Sequence, residues 1–173
     1  NARNLIEDLS RQGIVTSTLV DIAGASISVA VRTGSPKPDI SSLDSIRRML
    51  TDARSVSYSQ SGISGLALVA GLEKLGIAEQ FKAQAQAAAS GTEAVKLLTD
   101  GKAAIAVVQT VSTVGVDGID VVGRLPREMV GDILVTGGVV AQSREPAAAM
   151  EFLRYLASPA ARKVIQARGL EPL

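Results

Sequence analysis

The stretch that decides the fold is Ser55-Val56-Ser57-Tyr58-Ser59-Gln60-Ser61-Gly62-Ile63-Ser64-Gly65. Val56 and Tyr58 alternate with serines, which is the period of a short half-buried strand. The alternation then dissolves into small polar residues and two glycines. From Gly65 onward Leu68, Val69, Leu72 and Leu75 fall three or four apart, so a helix follows and stops at Gly76. A strand therefore feeds a Ser/Gly turn that opens a helix. The first N–H groups of a helix have no acceptor within it, and its dipole is positive at that end, so such a turn can hold an anion or a carbonyl oxygen. The glycines would let a ligand approach the backbone, and the hydroxyls would supply donors. Helix capping by Ser59, Ser61 or Ser64 is the structural alternative.

Working outward from this turn, strands and helices alternate. Arg3 to Gln12 reads as a helix closed by Gly13. Leu19 to Arg32 reads as extended, with Ile27 to Val31 its strongest part. Two prolines in Gly34 to Asp39 take the chain out of the sheet. Ser41 and Asp44 read as a capping box for a helix to about Ala53. Ile77 to Phe81 makes one more helical turn, and Gln84 to Ala89 a strand. Ser90 or Thr92 caps a helix ending at Asp100-Gly101. Ala103 to Gln109 is apolar without alternation, as in a strand covered on both faces. Ile119 to Gly123 and Ile133 to Ala141 are extended, and two helices follow, with Pro146 and Pro159 in their first turns. The pattern is α/β with mainly parallel sheets. Two long extended segments bracket most of the strand–helix units, which predicts two lobes joined by a pair of crossing strands. Ligands in such folds lie at strand carboxyl ends. Both the Ser59–Gly65 turn and Gln109-Thr110 occupy such ends.

Composition narrows the chemistry. The 173 residues are 46% hydrophobic but only 2% aromatic, so the core is built from Ala, Val, Leu and Ile. Cys and His are both absent, which removes disulfides, thiol chemistry, histidine acid–base work and the usual zinc sites. The net charge is +1, with basic residues scattered and no aromatic stacking platform, so nucleic acid is not an expected partner. Gly62-Ile63-Ser64-Gly65 stops short of a nucleophile elbow, because Leu66 stands where that motif requires glycine. No Ser-x-x-Lys, Gly-x-Gly-x-x-Gly or Walker sequence occurs, and neither catalysis nor a cofactor is expected.

Several segments together resemble the molybdate-type periplasmic binding proteins, the type II solute-binding subunits of ABC importers. Val29-Ala30-Val31-Arg32-Thr33-Gly34-Ser35-Pro36-Lys37-Pro38-Asp39-Ile40 looks like the hinge and the approach to the second lobe. Ser57-Tyr58-Ser59, Ser64-Gly65 and Leu72 to Ile77 are similar to the strand, binding turn and helix. Gly118 to Pro126, and Phe152-Leu153 with Ala157 to Ala161 and Gly169 to Pro172, resemble later segments.

The resemblance implies a two-lobed α/β fold with parallel or mixed sheets flanked by helices. Residues 1–32 and 132–173 would form an incomplete first lobe and 33–131 the second, since the family's opening strand–helix units have no counterpart here. It implies capture of a small oxyanion (molybdate, tungstate or similar) and delivery to an ABC transporter permease, in the periplasm or outside the cell. The implied ligand contacts are Ser59, Ser61, Ser64 and Gly65 in the turn, with Val108 and Gln109 after the apolar strand. Open sheet edges in the first lobe would favour pairing into a homodimer. The alternative is the ligand-sensing effector domain of a transcriptional regulator with the same fold.

Overall fold

The computed structural model describes residues 2–173. In chain order the elements are α1 (Ala2–Arg11), β1 (Val15–Ala25), β2 (Ile27–Arg32), α2 (Leu43–Asp52), β3 (Val56–Ser59), α3 (Gly62–Lys74), α4 (Ala78–Lys82) and β4 (Ala85–Ala88). They continue with α5 (Gly91–Thr99), β5 (Ile105–Gln109), β6 (Ile119–Arg124), α6 (Arg127–Val130), β7 (Ile133–Val140), α7 (Pro146–Leu156), α8 (Arg162–Ala167) and β8 (Glu171–Pro172).

Contacts divide these elements into two units, residues 1–25 with 132–173, and residues 26–131. The extended segment expected from Leu19 to Arg32 is broken at Ser26. Its second half belongs with the larger unit, because β2 ladders there with β5 and β6. Residues 26–32 are thus in the second unit, where the sequence reading had grouped them with the first.

The smaller unit is a three-stranded sheet of order β7-β1-β8, with both ladders antiparallel. Helix α1 packs on β1 and β7, and α7 on the same two strands. Ala23, Ala161 and Ile165 are buried at its centre against Ile22 and Leu170.

The larger unit is a five-stranded sheet of order β4-β3-β5-β2-β6. Strand β3 runs parallel to β4 and β5, while β2 is antiparallel to β5 and β6. The larger sheet is therefore mixed and the smaller one antiparallel, where the sequence pattern suggested mainly parallel sheets. Helix α5 packs on β3, β4 and β5, and its Ala94, Val95 and Leu98 close a core with Ala30, Ala88, Ala106 and Val108. Helix α3 packs on β3, β5 and α6.

The strand β3 departs from the half-buried reading. Val56 and Ser57 are both fully buried, so the serine face is covered as well as the apolar one. The Ser57 hydroxyl donates to Ala94 O at 2.8 Å, satisfying a polar group in that position. The parallel run β4-β3-β5 places the carboxyl ends of three strands side by side, and that juxtaposition positions the site.

Helix α2 begins one residue later than the capping reading placed it. Ser42 is the N-cap, and its hydroxyl accepts from Ser45 N. Asp39 braces the same turn: its carboxylate accepts from the Ser45 hydroxyl at 2.7 Å and from Ser41 N at 2.9 Å. These bonds, the Ser45 one foremost, hold its pKa down from 3.8 to about 2. A carboxylate with a depressed folded-state pKa adds stability above its unfolded value, and that increment disappears as pH falls toward the folded value. Asp39→Asn is accordingly expected to flatten the acid-unfolding curve between about pH 4 and pH 2. Circular dichroism against pH checks this, and superimposable curves would contradict it.

Candidate functional site

The turn between β3 and α3 is held by its own backbone before any ligand is considered. Gly62 takes φ +75°, a left-handed conformation that only glycine adopts readily, and it turns the chain into the helix. Gly65 is required for a different reason. A Cβ built on it would lie 2.4 Å from Ser59 O and 3.0 Å from Gln60 C, so the first turn of α3 rests directly on the end of β3. Gly65 thus meets the chain's own backbone on its Cβ side.

Ser61 occupies the N-cap position of α3, yet its side chain makes no capping bond. Its hydroxyl instead donates to Ala89 O at 2.8 Å, tying the β3–α3 turn to the β4–α5 turn. The Ser59 hydroxyl donates to Ser61 O at 2.8 Å. The consequence is that no side chain caps the first N–H groups of α3, which stay open at the positive end of its dipole.

The neighbouring helix is capped in the ordinary way. Glu93 N donates to the Ser90 hydroxyl at 3.1 Å, and the Glu93 carboxylate accepts from Ala89 N at 2.8 Å. This pair is a capping box shifted by one residue on its carboxylate side, and it leaves the N–H groups of Gly91 and Thr92 outside the cap. A Cβ on Gly91 would sit 2.2 Å from the Ser112 hydroxyl oxygen, so the absent side chain admits the loop that follows β5. That loop is a 3-10 turn over Thr110–Thr113. The Thr110 hydroxyl anchors it to β2, lying 2.8 Å from the hydroxyls of both Ser26 and Ser28, while Thr110 N donates to Ser26 O.

These three strand ends enclose a pocket of about 230 Å³. One wall is Ser59, Ser61, Gly62, Ile63 and Ser64. The others are Ala89, Ser90 and Gly91, and Gln109 with Ser112. Two helices of 13 and 9 residues aim their N-termini at it. Ser64 is 8% exposed, and its hydroxyl has no partner among the described residues. No charged side chain lines the pocket. Such a cradle suits a small anion held by backbone N–H groups and neutral hydroxyls.

Four of the six residues expected at the site line this pocket: Ser59, Ser61, Ser64 and Gln109. Gly65 is not among them. Val108 is fully buried in the core of the larger unit, opposite Ser28 in the β2–β5 ladder. The contribution of Gly91 and Ser112 was missed, since nothing local in the sequence marks them. For Ser90 the capping-box spacing to Glu93 was a usable signal.

Two larger hollows lie elsewhere, each within one unit. One of about 510 Å³ runs along α1 and β1, and one of about 340 Å³ lies beside α2. Their charged groups already have partners within the protein: Arg3 pairs with Glu7 and Asp21, and Asp39 with Ser41 and Ser45. No described helix is long and apolar enough to cross a membrane.

Known proteins extend this description. A relative from Pseudomonas sp named aconitate isomerase is 35% identical over 161 residues, covering 92% of this chain. The chain spans only 61% of that relative's length. Among solved structures, the substrate binding domain of a putative molybdenum ABC transporter from Clostridium difficile superposes with a TM-score of 0.78 at 18% identity. The match covers 99% of this chain and 74% of that one. The periplasmic molybdate-binding protein of Azotobacter vinelandii gives 0.75 at 21% identity, with coverage of 97% and 74%. At these identities the structures establish the type II periplasmic-binding-protein-like fold. The family model described as bacterial extracellular solute-binding protein matches residues 2–171, nearly the whole chain, and the protein belongs to that family.

Proposed function

We propose that this protein is an extracytoplasmic solute-binding protein that captures a small oxyanion, molybdate-like in size and charge, and passes it to an ABC importer. The two contact-defined units serve as its lobes. The observation that carries this reading is the uncapped start of α3 at a pocket of about 230 Å³ that α5 also faces. A desolvated anion is stabilised there by converging N–H dipoles, with no cationic side chain needed. Ser59, Ser61, Ser64 and Gln109 form the contact set, with Ser90, Gly91 and Ser112 added by the geometry. Gly65 and Val108 lie outside its lining. In the smaller unit β7 is an edge strand, which also supports pairing between copies of the chain.

Calorimetric titration with molybdate, tungstate and sulfate tests the reading. Saturable binding of at least one, lost at high concentrations of a competing oxyanion, is expected. Absence of heat with all three refutes this ligand class. A sensing domain of the same fold would use the same pocket and give the same titration.

The relative named aconitate isomerase favours a second reading, in which the guest is a polycarboxylate. Aconitate is also a small anion, and its carboxylates present the same acceptor oxygens to N–H donors. Isomerisation additionally needs a group to accept and return a proton, and no charged side chain lines this pocket. Including cis- and trans-aconitate in the titration, with the ultraviolet spectrum followed over time, separates binding from turnover.

A further inference from the structure

The hydroxyls of this pocket do not all face a guest in the same sense. A carbonyl oxygen can only accept, so a serine hydroxyl bonded to one must be the donor and has spent its single proton. Ser59 is in that state toward Ser61 O, and Ser61 toward Ala89 O, both at 2.8 Å. Ser59 is 6% exposed, which leaves little room for it to find a different partner. What these two residues offer the pocket is therefore lone pairs. The opposite character comes from the N–H groups at the start of α3 and from Ser64, an 8%-exposed residue whose hydroxyl has no partner among the described residues. The Ser90 hydroxyl accepts from Glu93 N and so keeps its own proton for another acceptor.

We infer that the pocket presents acceptors among its donors, and that it selects a small anion carrying its own hydrogen-bond donor, such as a protonated oxyanion or a hydroxycarboxylate, over a fully deprotonated one. This rests on the reading of the pocket as an anion site and narrows the class of anion. A fully deprotonated tetrahedral ion would turn one of its oxygens toward the lone pairs of Ser59 and Ser61. Leaving the buried Ser59 acceptor unmatched carries a penalty that a ligand O–H removes.

The test uses matched anions on the full chain. Inorganic phosphate is compared with sulfate at mildly alkaline pH, where both are dianions but only phosphate holds a proton. Hydroxymalonate is compared with malonate in the same way. In whichever pair binds, the donor-bearing member is expected to bind about tenfold tighter, the size of one mismatched buried hydrogen bond. Equal or tighter binding of sulfate or malonate overturns the inference and leaves the anion reading intact. Failure of all four, together with molybdate, overturns both. Two variants locate the effect. Ser59→Ala removes an acceptor whose partner carbonyl keeps the first bond of α3, so the preference should shrink toward unity. Ser61→Ala uncovers the Ala89 carbonyl as a replacement acceptor, so the preference should persist. A purely structural disturbance would weaken both members of a pair alike and leave their ratio unchanged in both variants. That result would also overturn the inference.

Discussion

Gly65→Ala is expected to lower stability by about 1–3 kcal/mol and to weaken anion binding at least tenfold, because overpacked sites must shift backbone. The added Cβ would stand 2.4 Å from Ser59 O and 3.0 Å from Gln60 C. Both obstacles are main chain, so no side-chain rotation relieves them. Alanine gains up to about 1 kcal/mol over glycine in helix propensity, which opposes the clash but does not match it. The first turn of α3 must lift from β3, and the N–H groups of Gly62, Ile63 and Ser64 move with it. Gly62→Ala makes a useful contrast. Its φ of +75° imposes strain of about 1–2 kcal/mol, but a Cβ there meets nothing within 4 Å. The two variants should thus resemble each other in urea midpoint and differ in affinity. Urea unfolding with calorimetric titration checks this, and a Gly65→Ala protein that binds molybdate or phosphate as the parent does would refute it.

That contrast shows where the sequence was informative. Val56 and Tyr58 marked a strand, and Leu68 and Leu72 marked a helix, so the turn between them was legible from periodicity alone. The resemblance segments likewise pointed to a family whose model spans residues 2–171. The direction of the Ser61 hydroxyl was not legible. An N-cap serine ordinarily turns back to its own helix, and only the parallel pairing of β3 with β4 brings Ala89 O within its reach. Gly91 and Ser112 were hidden for the same reason, since their closeness depends on β5 lying beside β3. Val108 was named from the family resemblance as a backbone donor, and its unbroken apolar neighbourhood agrees with the burial of its side chain in the core. The break at Ser26 was hidden as well. A local pattern of extended residues does not reveal that its two halves join different sheets.

Phe81→Ala is expected to be the most destabilising single truncation, by about 3–5 kcal/mol, the range for a fully buried phenyl group. Phe81 lies in the short helix α4 at 1% exposure, with its ring 5.3 Å from that of Tyr58 in an edge-to-face arrangement of 66°. It is one of two phenylalanines, and the other, Phe152, is 59% exposed. Leu68, Leu72, Ile77 and Val56 of the same unit are buried as well, so the core that would have to close over the vacated space is mainly aliphatic. Helix α4 has only five residues, too few to persist without the side chain that docks it. Its loss would also free Tyr58, which directly precedes Ser59 at the pocket. Tyr58→Leu keeps most of the apolar volume and removes the ring pair, so about 0.5–1.5 kcal/mol of the effect should appear there. Phe152→Ala, as an exposed control, should stay within about 0.5 kcal/mol of the parent. Urea unfolding followed by far-ultraviolet circular dichroism measures all three. A Phe81→Ala protein no less stable than Phe152→Ala would show that α4 is held by something other than this ring.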